Sequence, residues 1–152
     1  MKGFIMTNIQ NYDDALAFIH GRTKFKKIPT LKRMRRFLKE LGNPQEKLSY
    51  LHVTGTNGKG STVAMLRSLL MASGLTVGTF TSPFSVRFNE RISLNGQPIS
   101  DDELVKAAQK VAPVVDYLDQ VLPEGGPTEF EIDTAIMFTW FAQKKPDVVI
   151  LE

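Results

Sequence analysis

Cysteine is absent from the 152-residue chain, which excludes disulfides and thiolate metal sites. No apolar stretch approaches membrane-spanning length, and residues 1–6 lack the long apolar core of a secretory signal. We therefore expect a cytoplasmic protein with no membrane partner. Histidine is scarce, with two residues, and no Ser-His-Asp arrangement or histidine metal cluster is indicated.

The remaining composition is ordinary for one soluble globular domain. Hydrophobic residues make up 42% of the chain and charged residues 23%, which is compatible with a proper core. The net charge of +3 fits an anionic small ligand and does not require nucleic acid.

A glycine-rich stretch at residues 50–62 organises the chain. Its sequence, YLHVTGTNGKGST, predicts a strand over Tyr50–Thr54, a tight turn, and a helix that ends at Gly74. This order directs backbone N–H groups and the positive end of the helix dipole toward a phosphate. The predicted phosphate-binding residues are Gly55, Thr56, Asn57, Gly58, Lys59, Gly60, Ser61 and Thr62. We expect the Lys59 ammonium to lie at the β- and γ-phosphates.

The stretch departs from the standard P-loop pattern at two positions. Val53 stands where the pattern has its first glycine, and Gly60 follows the lysine where serine or threonine is usual, so Ser61 comes one residue late. A glycine-rich surface turn that contains a lysine is the alternative. We favour phosphate binding because a strand precedes the turn and a periodic helix follows it. The expected buried face of that helix carries Val63, Leu66, Leu69, Leu70 and Ser73.

Further strands and helices follow along the chain. Val77–Thr81 predicts a second strand, parallel to the first through a right-handed crossover, and Val148–Leu151 predicts a central parallel strand. Asn95-Gly96 predicts a hairpin turn between two short strands. Capping boxes at 100–103 and 128–131 predict two helices. The first contains Pro113, which should kink or split it, and the second should bury Phe130, Ala135 and Phe138.

Two helices are predicted before the glycine-rich stretch, at residues 12–20 and 31–41. Thr30 can cap the second, whose apolar stripe consists of Leu31, Met34, Leu38 and Leu41. Its other faces carry Lys32, Arg33, Arg35, Arg36 and Lys39. This basic surface indicates either a nucleic-acid patch or a solvated helix face. We favour the solvated face and predict no nucleic-acid partner.

Two residues at predicted strand ends could face the glycine-rich loop. Glu152 follows the central strand, where P-loop proteins often place a magnesium-organising carboxylate, although a solvent-exposed glutamate is the alternative. Ser82 follows the second strand and precedes Pro83, which also suits an ordinary turn. Ligands of open parallel sheets bind at this carboxyl edge.

The pattern Leu51-x-Val53-Thr54-Gly55-Thr56-Asn57-Gly58-Lys59-x-Ser61, with Leu69-Leu70 and Gly74 downstream, resembles the signature of the folylpolyglutamate synthase/dihydrofolate synthase family. That family belongs to the Mur ligase group of ATP-dependent amide-forming enzymes. The resemblance implies an α/β fold with a P-loop NTPase-type parallel sheet flanked by helices. It also implies that residues 1–152 are the N-terminal portion of the ATPase domain, without its remainder or the C-terminal ligase domain.

The activity that the resemblance implies is the addition of L-glutamate to folate or dihydropteroate through an acyl phosphate. ATP and Mg²⁺ are the implied cofactors, Lys59 is the implied catalytic residue, and the full-length protein is expected to be a monomer. Ser82 and Glu152 are the implied magnesium ligands, and Ser61 remains a competing one. The implied substrate-binding residues are Ile28, Pro29, Thr30, Leu31, Pro83, Phe84, Arg91, Pro127, Thr128, Glu129 and Phe130.

Three alternatives stay open. The chain could be a nucleotide-binding module without turnover, because half of the implied site lies outside it. It could also belong to another Mur-type ligase with a different acceptor, or to a P-loop kinase. The sequence is compatible with either dihydropteroate or folylpolyglutamate as the substrate.

Overall fold

A computed structural model describes residues 6–24 and 30–152. The chain divides into two compact units, one with residues 1–45 and 101–140 and the other with residues 46–100 and 141–152. The helices in the described residues are α1 (Tyr12–His20), α2 (Leu31–Glu40), α3 (Lys59–Ala72), α4 (Asp101–Val121) and α5 (Glu129–Lys144). The strands there are β1 (Tyr50–His52), β2 (Val77–Phe80), β3 (Ile92–Leu94), β4 (Gln97–Pro98) and β5 (Val148–Leu151). Short 3-10 turns lie at Pro44–Lys47 and Phe88–Arg91.

The first unit is helical, and α4 packs against both α1 and α2. Side-chain caps begin the two N-terminal helices: Asn11 accepts from the Asp14 N–H at 2.9 Å, and Thr30 accepts from the Lys32 N–H at 3.2 Å, as predicted for Thr30. The Thr7 N–H and hydroxyl both donate to the Asp116 carboxylate, at 2.7 and 2.6 Å. These bonds tie the segment before α1 to the middle of α4.

The predicted buried face of α2 is wrong at its N-terminal end, although Leu38 is buried as predicted. Leu31 is 68% exposed, whereas Arg33, expected on the solvated side, is buried with Phe37 and Leu38. The reason is an ion pair from Arg33 to Glu131 on α5, which satisfies a charge that the hydrophobic pattern assigns to solvent. Phe130, expected to be buried in α5, is 41% exposed.

Pro113 does not split α4, which is one helix over Asp101–Val121. A proline in a helix interior removes one backbone hydrogen bond and crowds the preceding turn. Val111 and Val115 are buried on either side of it, so packing holds both halves in place. The predicted split is therefore wrong, and the alternative of a kink stays a prediction.

The second unit is built on a five-stranded sheet in the order β1-β5-β2-β3-β4. Both β1 and β2 pair with β5 in parallel, which confirms the three predicted parallel strands, although β1 is shorter than predicted. The hairpin adds β3 and β4 in antiparallel pairing, so the sheet is mixed where a parallel sheet was expected. Asn95 and Gly96 have φ values of 49° and 77°, the left-handed pair that a tight hairpin turn requires.

Helix α3 packs on this sheet through one cluster. Val63 contacts Val77 and Ile150 there, with partly buried apolar neighbours at Val53, Leu66, Leu70 and Val148. Leu69, expected on the same face, is 67% exposed. No helix in the described part of the chain is both long and apolar enough to cross a membrane.

Candidate functional site

The glycine-rich loop leads from β1 directly into the N-terminus of α3. Gly58 is the N-cap residue with φ 77°, and Gly55 has φ 150°, conformations that favour glycine at both positions. The Lys59 ammonium donates to the Gly55 carbonyl at 2.9 Å, so the lysine folds back across the loop. The residues from Thr54 to Gly58 are exposed. The structure therefore presents a helix N-terminus, an adjacent ammonium group and an open loop to solvent.

A cavity of about 500 Å³ lies beside this helix within the second unit. Its α3 wall is formed by Gly60, Val63, Ala64 and Arg67, and the strand ends and the following loop contribute Thr79, Thr81, Ser82, Pro83, Ser85, Glu90, Ser93 and Glu152. A side chain at Gly60 would meet no atom within 4 Å, so the helix leaves open space there. The predicted residues Gly60, Ser82, Pro83 and Glu152 thus share one cavity, whereas Ser61 is not among its lining residues.

Backbone pairing fixes the two strand-end residues. The Glu152 N–H donates to the Phe80 carbonyl at 2.9 Å, which carries the β5–β2 pairing one residue beyond the strands. On the other side of β2, the Thr81 N–H donates to the Arg91 carbonyl at 3.0 Å, and Ser82 comes next. The carboxyl ends of two neighbouring parallel strands therefore carry the serine and the glutamate at one edge.

This pair of oxygen donors fits a magnesium ion. A hydroxyl and a carboxylate are hard ligands, and magnesium usually takes one or two protein ligands while water and substrate phosphates supply the rest. Among residues 6–24 and 30–152, no group of three His, Cys, Asp or Glu side chains could hold a metal by itself. The donor set therefore suits an ion shared with a phosphate group better than an all-protein cage.

The loop between Ser82 and Arg91 is held by Glu90. Its carboxylate accepts hydrogen bonds from the backbone N–H groups of Ser85, Val86 and Arg87, at 2.8, 3.2 and 3.2 Å. These bonds, those from Ser85 and Val86 above all, lower the pKa of Glu90. The Ser82–Pro83 peptide is cis. No signal in the sequence indicated this role for Glu90.

Arg91 lies against the aromatic rings of the same loop. Its guanidinium is 5.3 Å from the Phe84 ring centre and 5.8 Å from that of Phe88, within the range of cation–π contact. The two rings meet edge to face with their centres 6.1 Å apart. Phe84 and Arg91, both predicted substrate residues, are therefore neighbours, although neither lines the cavity.

Six of the predicted substrate residues, Thr30, Leu31, Pro127, Thr128, Glu129 and Phe130, lie in the described part of the first unit, where the start of α5 is bound by basic side chains. Thr128 and Glu131 form the predicted capping box: the Thr128 N–H donates to Glu131 at 2.8 Å, and the Glu131 N–H donates to the Thr128 hydroxyl at 3.4 Å. Arg33 Nε also donates to Glu131, at 2.8 Å. Sequence reasoning missed this pairing.

Two further contacts hold the residues around Thr128. The Pro127 carbonyl accepts from Arg22 Nε at 3.0 Å, and Glu129 lies 3.1 Å from His20 Nδ1. Arg22 also pairs with Asp119, and that hydrogen bond raises the pKa of the Arg22 guanidinium. Pro127, Thr128 and Glu129 therefore have structural partners, whereas exposed apolar surface is contributed by Leu31 and Phe130, and Thr30 caps α2. Ile28 and Pro29 lie outside the described residues.

Comparison with known proteins gives close relatives. No protein-family model matches the chain. The dihydrofolate synthase/folylpolyglutamate synthase of Bacillus subtilis (strain 168) is 54% identical over 142 residues, which are 93% of this chain and 33% of that protein. The folylpolyglutamate synthase of Lacticaseibacillus casei is 44% identical over the same length, again 93% of this chain and 33% of the relative.

Solved structures agree with these relatives. A folylpolyglutamate synthase (FPGS)–AMPPCP–folate complex superimposes with a TM-score of 0.87 at 43% identity, over 93% of this chain and 34% of that one. The folylpolyglutamate synthase of Thermotoga maritima gives a TM-score of 0.85 at 35% identity, over 93% and 32%. The chain thus spans about a third of the length of these relatives. Over 93% of its length the chain is thus similar to proteins named folylpolyglutamate synthase or dihydrofolate synthase/folylpolyglutamate synthase, which confirms the resemblance found in its sequence.

Proposed function

We propose that this chain is the nucleotide-binding portion of an ATP-dependent ligase that adds L-glutamate to folate or dihydropteroate. One observation carries the proposal. The Lys59 ammonium and the N-terminus of α3 lie in the same unit as the cavity that Ser82 and Glu152 line. The FPGS–AMPPCP–folate complex among the similar structures supports a nucleotide and a folate as ligands. Because the chain spans a third of its relatives, the ligase activity is proposed for the whole gene product.

The proposed reaction has two steps. A substrate carboxylate attacks the γ-phosphorus of ATP, an acyl phosphate forms, and ADP leaves. The amine of glutamate then attacks the acyl carbon, an amide forms, and inorganic phosphate leaves with the amine proton going to solvent. Phosphoryl transfer of this kind depends mainly on positioning and on neutralising charge on the transferring group.

The residues of the loop supply that neutralisation in our proposal. Lys59 exchanges its contact with the Gly55 carbonyl for phosphate oxygens, and the N–H groups of residues 55–61 bind the same oxygens. The N–H of Thr62, predicted as a further phosphate-binding residue, donates instead to the Gly58 carbonyl at 3.0 Å. Ser82 and Glu152 would hold magnesium, which supplies positive charge at the phosphates when it is bound. Ser61 is the competing hydroxyl, and we favour Ser82 because it lines the same cavity as Glu152.

The substrate residues form a second part of the proposal. Phe84 and Arg91 offer an aromatic surface beside a guanidinium, which suits an aromatic ligand that carries carboxylates. In the first unit, Leu31 and Phe130 offer exposed apolar side chains, and Thr30, Pro127, Thr128 and Glu129 lie next to them in sequence. We keep Ile28, Pro29 and Pro83 as candidates from the resemblance.

A nucleotide-binding module without turnover is the second candidate for the isolated 152-residue chain. The fraction of each relative that it spans, about a third, favours this reading of the chain by itself. We expect the isolated chain to bind ATP and to release no phosphate.

Phosphate release by the whole gene product separates these functions. We expect release from ATP that requires both glutamate and a folate or dihydropteroate, with one amide formed per phosphate. Release that is independent of glutamate, or that requires a different acceptor, would contradict the proposed ligase and favour a kinase or another Mur-type enzyme.

A further inference from the structure

We propose that Glu90 is a positioning residue that sets the place of Ser82 by filling an anion site built from the loop's own backbone. The inference rests on the proposed role of Ser82 as a magnesium ligand. Glu90 itself is not predicted to touch the nucleotide.

The anion site consists of three consecutive N–H groups. Those of Ser85 and Val86 donate to Glu90 Oε2 at 2.8 and 3.2 Å, and that of Arg87 donates to Oε1 at 3.2 Å. Successive backbone N–H groups that point to one spot form a concave nest for an anion, such as a phosphate or carboxylate. In this loop the occupant is a side chain of the same segment, so the loop is shaped without any ligand.

The ends of the loop are fixed by a separate set of contacts. Thr81, the residue before Ser82, donates its N–H to the carbonyl of Arg91, the residue after Glu90, at 3.0 Å. The Arg91 guanidinium then lies over the Phe84 and Phe88 rings. Ser82 therefore stands inside a loop that is closed at its base by the backbone pair and bound at Ser85, Val86 and Arg87 by the Glu90 carboxylate.

The cavity connects this loop to the proposed metal. Ser82, Ser85 and Glu90 all line it, together with Glu152 on the neighbouring strand. The orientation of a metal ligand is usually set by a partner outside the coordination sphere, and loss of such a partner typically weakens metal binding. Both carboxylate oxygens of Glu90 accept hydrogen bonds from backbone N–H groups of the loop. We therefore expect Ser82 and Glu152, and not Glu90, to be the metal ligands.

The test measures AMPPCP affinity by calorimetry, once with Mg²⁺ and once with a chelator. The ratio of the two affinities reports metal-assisted binding, whereas the chelated value reports the glycine loop by itself. For Glu90→Ala we expect that ratio to fall about 10- to 100-fold, the range found for outer partners of metal ligands, with the chelated affinity unchanged. Glu46→Gln, an exposed glutamate of the same unit, is the matched control and should change neither value.

Chemical rescue sharpens the test. Added acetate should enter the vacated nest and restore the ratio in Glu90→Ala, while it leaves the parent chain unaffected. If Glu90→Ala does not fold, Glu90→Gln carries the test, because it keeps the shape but replaces one acceptor oxygen with a donor. Its amides at residues 85–87 should exchange faster with solvent, and its ratio should fall.

Two results would overturn the inference. One is an unchanged ratio in Glu90→Ala, and the other is an equal loss of affinity with and without Mg²⁺, which indicates general damage to the unit. A parent chain that binds AMPPCP without any gain from Mg²⁺ would instead overturn the proposed function on which the inference rests.

Discussion

The buried ion pair between Arg33 and Glu131 gives the sharpest stability prediction. Arg33 Nε lies 2.8 Å from Glu131 Oε2, and the two side chains are 4% and 14% exposed. Removal of one partner of a buried pair leaves an uncompensated charge and destabilises a protein by about 3–5 kcal/mol. Glu131 keeps hydrogen bonds from the Thr128 N–H and hydroxyl, at 2.8 and 3.1 Å. We therefore expect Arg33→Met to lower the free energy of unfolding by about 3 kcal/mol, the lower end of that range.

A second substitution tests whether the uncompensated charge of Glu131 causes this loss of stability. Glu131→Gln removes the charge but keeps an oxygen for the Thr128 N–H, so the start of α5 stays capped. Replacing both members of a buried pair is often neutral or stabilising relative to breaking it. Arg33→Met combined with Glu131→Gln should therefore be more stable than Arg33→Met alone, because the double variant buries no uncompensated charge at this site.

Urea denaturation followed by tryptophan fluorescence is a suitable assay, because Trp140 is the single tryptophan and is buried. Arg35→Met is the matched control, since Arg35 is an exposed arginine two residues along the same helix. It should change the unfolding free energy by no more than about 0.5 kcal/mol. The reasoning is refuted if Arg33→Met is as mild as Arg35→Met, or if the double variant is the less stable one.

Two further predictions concern the second unit. A Cβ at Gly78 would lie 2.7 Å from Cε1 of Phe141, so Gly78→Ala should lower the unfolding free energy by about 1–3 kcal/mol. Adding Phe141→Leu to that variant should recover part of the loss. Equal stability of Gly78→Ala and the parent would contradict the packing. Asp147 accepts from the N–H and hydroxyl of Thr76, at 2.7 and 2.9 Å, and these bonds lower its pKa below 3.8. The stabilising effect of the Asp147 carboxylate is thus present above pH 3.8 and is lost as the pH falls through its lowered folded-state pKa. In urea titrations over a pH series, the stability difference between the parent and Asp147→Asn should therefore shrink as the pH falls. A difference that grows on acidification would contradict this linkage.

Local chemistry explains what the sequence predicted correctly. The tight turn before α3, the Asn95-Gly96 turn and the Thr128–Glu131 capping box each depend on residues that are close along the chain. The central strand followed from the unbroken apolar run Val148–Leu151, and the parallel pairing followed from the strand–helix–strand order. From these, Ser82 and Glu152 could be placed at one edge before any coordinates were known.

The missed features depend on contacts between distant residues. Hydrophobic periodicity places arginine on the solvent side of a helix, but Arg33 is buried because Glu131 lies 98 positions away in sequence and next to it in space. Glu90 carries no motif, since its partners are backbone N–H groups whose convergence depends on the loop conformation. On α3, apolar residues occupy more than one face, so periodicity does not show which of them packs, and Leu69 is exposed.

Calorimetric titration of the chain with AMPPCP and Mg²⁺, before and after Lys59→Ala, tests the central claim most directly. A hydrogen bond to a charged group contributes about 1.5–3 kcal/mol, so the dissociation constant should rise about ten- to hundredfold. Lys47→Ala, an exposed lysine of the same unit, should leave it unchanged, and circular dichroism should show all three proteins folded. A folded Lys59→Ala chain that binds AMPPCP as tightly as the parent would contradict the account.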